Sequence, residues 1–481
     1  MNYRPSKSFL YLMVTLCPLV TALMFGLLPE LPNMEVRSSP GEITFSSGNP
    51  PSPKVRTVSA AGTKTIHPSE WFEEGYENLM KWEHNPWKRQ RNAFGSHFTK
   101  LLESKDPRDQ AKLRELGRLA EVWHQKLLLR FPELAVTMKT IPDEQNGLLK
   151  WLDLSDRITA DPKSGPNHTF PKELNNYIHW QGAWNPDAAK AWLTRNQSLV
   201  DEIHAIGLLP RRSVNGIPID RWGFFDYGFA KNYGEILTLE ARVAAERGDV
   251  AAALESVRAA RGLADHFSEI EAATLHTGLV KKYLQNNLEN HVLSDIIPAL
   301  PVDQVDTAVW ENAVNPTVSS PAEFARLMKG EWGAINRQDL LPFLLDAEDP
   351  DSPPDGGEVL DYFALFFLET VRSHESASLT DLPTLQLPPN ADTSHLSWAS
   401  RQLADNLLTA SWDFYRKDWD RTQSVSALTR AAFAIMKGQP IPQDPVYGVD
   451  YLWDEKSRQL SLPDTEAFKK MGIKPITVPK R

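Results

Sequence analysis

The sequence predicts an all-α body of antiparallel helical hairpins, with a small C-terminal β-hairpin and one N-terminal transmembrane helix. Three observations predict it. Apolar residues recur at helical spacing over most of residues 69–437. Near the C-terminus, Val449–Trp453 and Gln459–Leu462 flank the polar turn Asp454-Glu-Lys-Ser-Arg458, as two short strands do. At the other end, Phe9 to Leu28 holds twenty residues without a charge.

That apolar run is ~30 Å long as a helix, which matches the hydrocarbon thickness of a bilayer. Arg4 and Lys7 precede it, whereas Glu30, Glu35 and Glu42 follow with only Arg37 between them. Positive charge is retained on the side of synthesis, so residues 1–8 are expected in the cytoplasm and the bulk across the membrane. The alternative is a cleaved secretory signal ending at Val20-Thr21-Ala22, although the apolar run continues through Leu28. Residues 29–68 contain seven prolines, six serines and three glycines without periodicity, the composition of a disordered linker.

The body follows in order. A first helix begins near Ser69, with Phe72, Tyr76, Leu79 and Met80 on one face. A second, about Pro107 to Arg130, aligns Leu113, Leu116, Ala120, Trp123 and Leu127 and stops before Pro132. A third is expected from an Asp143 cap to about Ile158. A fourth starts at the Asn185 cap with Pro186 in its first turn, buries Trp192, Leu199, Ile203 and Ile206, and ends at Gly207. Residues 233–293 give three more: one to Arg247, one from Val250 to about His266, and one from Ser268 to about Leu293. Gly248 supplies a left-handed C-cap and Asp249 caps the next helix, with Ala241, Ala245, Ala253 and Ala260 allowing close approach. Helices resume over Glu358–Ser376 and over Ser394–Met436, the latter as one helix or two. From 438 to 481 the chain reads as loop and β-hairpin.

Composition excludes several functions. The first 28 residues carry +2 of the chain's −10, which leaves −12 on the exported part. Such a body offers no field for nucleic-acid phosphates. The single cysteine, Cys17, lies in the apolar run, so the exported part has neither disulfides nor thiolate metal ligands. No cofactor or metal motif is present: Asp349, Asp351 and Asp355 lack calcium-loop spacing, and His266 and His276 are too far apart for a helical ligand pair. Gly-x-Ser-x-Gly, phosphate-loop and His-Glu-x-x-His patterns are absent. A carboxylate-pair glycosidase needs no such motif, only two acids across an aromatic-lined cleft. Two aromatic-rich stretches, 71–87 and 221–235, make Glu73, Glu74, Asp226 and Glu235 the candidate catalytic residues. Aromatics at helical spacing are usually core, and solitary surface acids usually meet solvent.

Residues 233–293 resemble a tetratricopeptide hairpin in the Gly248-Asp249 turn and in Ala253 and Ala260, while Ala241 and Asp265 depart from that motif and no second copy follows. With the Gln443-Asp-Pro-Val-Tyr-Gly448 loop and its short strand pair, residues 185–462 resemble uncharacterised bacterial envelope proteins that carry an N-terminal membrane segment and an all-helical body. The resemblance implies a bacterial inner-membrane address with the bulk in the periplasm, and brings no catalytic residue. The expected function is a membrane-anchored helical scaffold binding protein or glycan partners in the cell envelope. The glycosidase and a structural spacer are the alternatives.

Overall fold

The computed structural model describes residues 104, 106–160, 171–217, 227–337, 356–385 and 411–480. The apolar run 9–28, the linker 29–68, the helix expected near Ser69 and the acidic loop with Asp349, Asp351 and Asp355 lie outside these residues. Within them the protein is mostly helical, with a small three-stranded antiparallel sheet at the C-terminus. The chain divides into two compact units: Met1–Pro132 with Asp339–Phe366 and Pro388–Trp412, and Glu133–Gln338 with Phe367–Leu387 and Asp413–Arg481.

In the first unit, α1 (Pro107–Arg130) has the bounds read from its flanking prolines. Asp106 caps it by accepting from Arg108 N, and Ala120, Trp123 and Leu127 form the buried stripe. At its end Arg130 grips Asp361 with two parallel bonds of 2.6 and 2.7 Å.

The second unit begins within a first 3-10 turn (Pro132–Leu134), from which the run 135–142 leads to another at Asp143–Gln145, then α2 (Gly147–Ala160) and α3 (Lys172–Ile178). Asp143 therefore opens a turn and does not cap α2. Asn146 is the reason, because it bridges to Arg211 and donates to Ser213 O, which diverts the chain before the helix starts. The single helix expected after Asn185 is two, α4 (Pro186–Arg195) and α5 (Gln197–Gly207). Asn196 breaks it: its side-chain amide donates to Trp192 O at 2.8 Å, in competition with the helical ladder. Gly207 does not end α5 by a left-handed turn. It lies where a Cβ would sit 2.4 Å from Ala259 O, so its role is close approach.

The core is α6 (Tyr227–Glu246), α7 (Val250–Ser268) and α8 (Leu275–His291). Gly248 has φ +71° and Asp249 accepts from Ala252 N, so only Arg247, Gly248 and Asp249 join α6 to α7, the most extensive helix contact among the described residues. Ala241, Ala245, Ala253 and Ala260 are all buried. Residues 269–274 are not helical, and α8 starts only where Thr274 accepts from Thr277 N. A π turn, Val292–Ile296, follows it.

The chain continues through α9 (Thr307–Val314), α10 (Pro321–Ile335), α11 (Gly356–Glu375) and α12 (Ser411–Met436). Strands β1 (Leu452–Asp454) and β2 (Gln459–Ser461) form the expected hairpin. After α13 (Glu466–Met471), β3 (Ile476–Thr477) adds a third antiparallel strand that the sequence reading lacks. Asp444 of the Gln443–Gly448 motif is buried and accepts from Val446 N, Tyr447 N and the Tyr451 hydroxyl, while Gly448 takes φ +63°. That motif is a self-capped loop.

Candidate functional site

An open cleft of about 1050 Å³ lies in the second unit. One wall is the run 135–142, which has no helix, turn or bend. Facing it are residues 210–212, the chain after α7, and residues 317–320 leading into α10. These segments are distant in sequence and are joined by charged and polar groups behind the surface.

Glu271 fixes the floor. Its two oxygens accept from Lys139 N at 3.0 Å and Val214 N at 3.2 Å, so one buried carboxylate holds both runs. Ser213 Oγ adds a bond to Lys139 O at 2.8 Å. On α10, Arg326 donates to Ser268 O at the carbonyl end of α7, to Ile270 O just beyond it, and to Glu323 at 2.6 and 3.0 Å. The wall at 317–319 is held from beneath by two buried side chains. Lys282 Nζ donates to Thr317 O at 3.1 Å, and Gln423 Oε1 accepts from both Ser319 N at 2.7 Å and Lys282 Nζ at 3.3 Å. Burial, with Lys281 alongside, pushes the Lys282 ammonium well below the ordinary lysine range.

The lining is cationic on an acidic protein. Lys139, Arg211, Arg212, Lys281, Arg326 and Lys329 face three carboxylates, Glu269, Glu271 and Glu323. Arg212 pairs with Glu269, and Lys329 with Glu375 at 2.7 Å. Lys281 is shared between Glu269 at 3.5 Å and Asp265 at 3.7 Å. Burial and the nearby arginines Arg261 and Arg326 pull both Arg212 and Lys281 down from their ordinary values. Lys139 and Arg211 are exposed and have no ion-pair partner among the described residues.

The carboxylates of the cleft are held by cations and main-chain donors. Burial alone would raise Glu323, but Arg326 holds its carboxyl below the usual range, the reverse of what a general acid needs. Glu271 is committed to two main-chain donors and Glu269 to Arg212 and Lys281. Among the described residues, none of the wall's hydroxyls is hydrogen-bonded to a lysine or histidine side chain, as an activated nucleophile would be. No group of three His, Cys, Asp or Glu among the described residues could hold a metal ion.

No protein-family model, curated protein or solved structure matches this chain.

Of the acids proposed from sequence, Glu73, Glu74 and Asp226 lie outside the described residues. Glu235 sits on α6, 1 % exposed and away from the cleft walls. Its Oε1 lies 3.2 Å from His179 Nε2 and 3.9 Å from Lys231 Nζ. The carboxylate raises His179, and burial beside Glu235 pushes the Tyr283 hydroxyl up as well. A second polar cluster includes the neighbouring Trp180, which takes φ +60° and stacks on His291 at 4.2 Å. His291 and the Tyr177 hydroxyl both bind Asp295 at 2.8 Å. These groups tie α3 to the π turn after α8 and surround a buried charge. None of the cleft residues was singled out from sequence; the paired cations Arg211-Arg212 and Lys281-Lys282 are the signal that could have found them.

Proposed function

We propose that this chain is a binding protein of the cell envelope, whose helical body receives a partner in the cleft between run 135–142 and α10. The observation that carries the reading is the cleft itself: large enough for a sizeable ligand, fixed from behind by buried hydrogen bonds, and lined by six lysines and arginines against three carboxylates. A spacer has no need of such a recess. The N-terminal run 9–28 is proposed as a single-pass inner-membrane anchor, with residues 29–68 as the tether. The pairing of α6 and α7 through Gly248-Asp249 supports a tetratricopeptide-style hairpin at the centre of the body.

The test places a photoreactive side chain in the full-length protein in cells, as Val136→p-benzoylphenylalanine, with Leu129→p-benzoylphenylalanine, at a residue of α1 that is 84 % exposed, as the control. A discrete adduct from position 136 and none at that mass from 129 is expected. No adduct from 136, or the same adducts from both, would overturn the cleft as the binding site. Detergent, and not high salt or carbonate, should release the chain from membranes; release by carbonate would remove the anchor.

A further inference from the structure

We infer that the cleft recognises an extended acidic peptide, bound by main-chain hydrogen bonds along residues 136–138 and by carboxylate contacts to Lys139 and Arg211. The inference rests on the cleft being the binding site and adds the class of partner.

Three observations lead there. First, the main-chain N–H and C=O groups of Val136, Thr137 and Met138 have no hydrogen-bond partner among the described residues. They belong to a run without turn or bend that is pinned at Lys139 by Glu271 and Ser213. A fixed, straight stretch of open donors and acceptors is the template onto which a peptide adds as a strand. Second, the unpaired cations stand beside that template. Lys139 follows it directly and Arg211 lies on the facing wall, both exposed and without an acidic partner among the described residues, while Arg212, Lys281 and Arg326 are matched by Glu269, Asp265 and Glu323 and leave the sign of the wall to these two. On a chain of net charge −10, this local reversal of sign favours an anionic ligand. Third, the lining holds no aromatic ring among the described residues. Sugars are commonly gripped by stacking their faces on aromatic side chains, and nucleobases likewise. Small apolar groups are present in their place, with Ala135, Val136, Ile141 and Val318 available to the aliphatic parts of a peptide.

The experiment uses the full-length chain in detergent and a fluorescein-labelled nonapeptide of alternating glutamate and valine. Three comparators accompany it: the same peptide with glutamine for glutamate, the same peptide N-methylated at alternate residues, and an oligogalacturonate of equal charge. The acidic peptide should bind, weaken with added salt, and outcompete the other three by roughly tenfold or more. The double variant Lys139→Glu with Arg211→Glu should lose binding by a similar factor while keeping the helical signal and unfolding midpoint of the wild type, since neither side chain is buried or paired among the described residues. Unchanged affinity in that variant would overturn the inference, as would equal affinity for the N-methylated peptide. Preference for the oligogalacturonate would replace the peptide by an acidic glycan and leave the cleft standing. Failure of every probe alongside a position-136 crosslink would defeat the peptide and not the cleft, and failure of both would defeat both.

Discussion

Protonating His266 would set two donors face to face in the core of the second unit. Its Nδ1 accepts from the Trp151 indole N–H at 2.9 Å, and its Nε2–H donates to Leu209 O at 2.6 Å, so the neutral ring joins α2 and the end of α5 to α7. The packing leaves no room to turn away: a Cβ on Gly147 would fall 2.4 to 2.6 Å from three ring atoms. Burial pushes the imidazole down from 6.5 to about 4. Because the folded-state value is the lower, the unfolded chain takes up the proton first. The contribution to stability is complete above pH 6.5 and declines as pH falls towards 4. At roughly 1.36 kcal/mol for each pH unit, that interval amounts to about 3 kcal/mol. His266→Gln can keep one acceptor and one donor but does not titrate. Urea unfolding of both proteins should show the wild type losing about 3 kcal/mol relative to the variant between pH 7.5 and 4. A wild-type-minus-variant difference that stays flat over this range would refute the reasoning. His374, also lowered to about 4, adds a decline of the same sign to both proteins. His179 runs the other way: Glu235 raises it, so its contribution is full below the unfolded value and is lost as pH rises through the folded one.

Other substitutions test the packing and the wall of the cleft. A Cβ on Gly262 would lie 2.0 Å from Gly207 O, so Gly262→Ala should lower the urea midpoint by the equivalent of roughly 1–3 kcal/mol, as overpacking does. Gly117→Ala on α1, where nothing lies within 4 Å, should be neutral or stabilising by up to about 1 kcal/mol. Gln423→Leu removes the acceptor shared by Lys282 Nζ and Ser319 N, and should cost roughly 1–3 kcal/mol by thermal or urea unfolding.

Much of the fold was legible where local chemistry decides it. Pro107 and Pro132 bracket α1, Gly248 and Asp249 turn α6 into α7, and Asp454–Arg458 turns β1 into β2. Errors arose where a side chain overrides the backbone pattern. Asn196 interrupts an otherwise continuous amphipathic run, and Asn146 postpones α2 by bonding to Ser213, 67 residues away. Strand β3 carries only two residues, too few for an alternating pattern to register. The cleft was not legible, since residues 135–142, 210–212, 269–271 and 317–329 meet only through tertiary hydrogen bonds. Aromatic-rich context drew attention to Glu235, but the rings around it serve packing, as Tyr233 stacked on Trp151 at 5.1 Å shows.

Hydrogen exchange on the full-length chain, with and without the glutamate–valine nonapeptide, tests the binding cleft most directly. Amides at 136–138, which lack a hydrogen-bond partner among the described residues, should exchange freely in the unbound protein. Slowed exchange at 136–138 and at 317–320, with the Trp180 region unchanged, is the predicted result. Protection that appears elsewhere, or nowhere at saturating peptide, would contradict it.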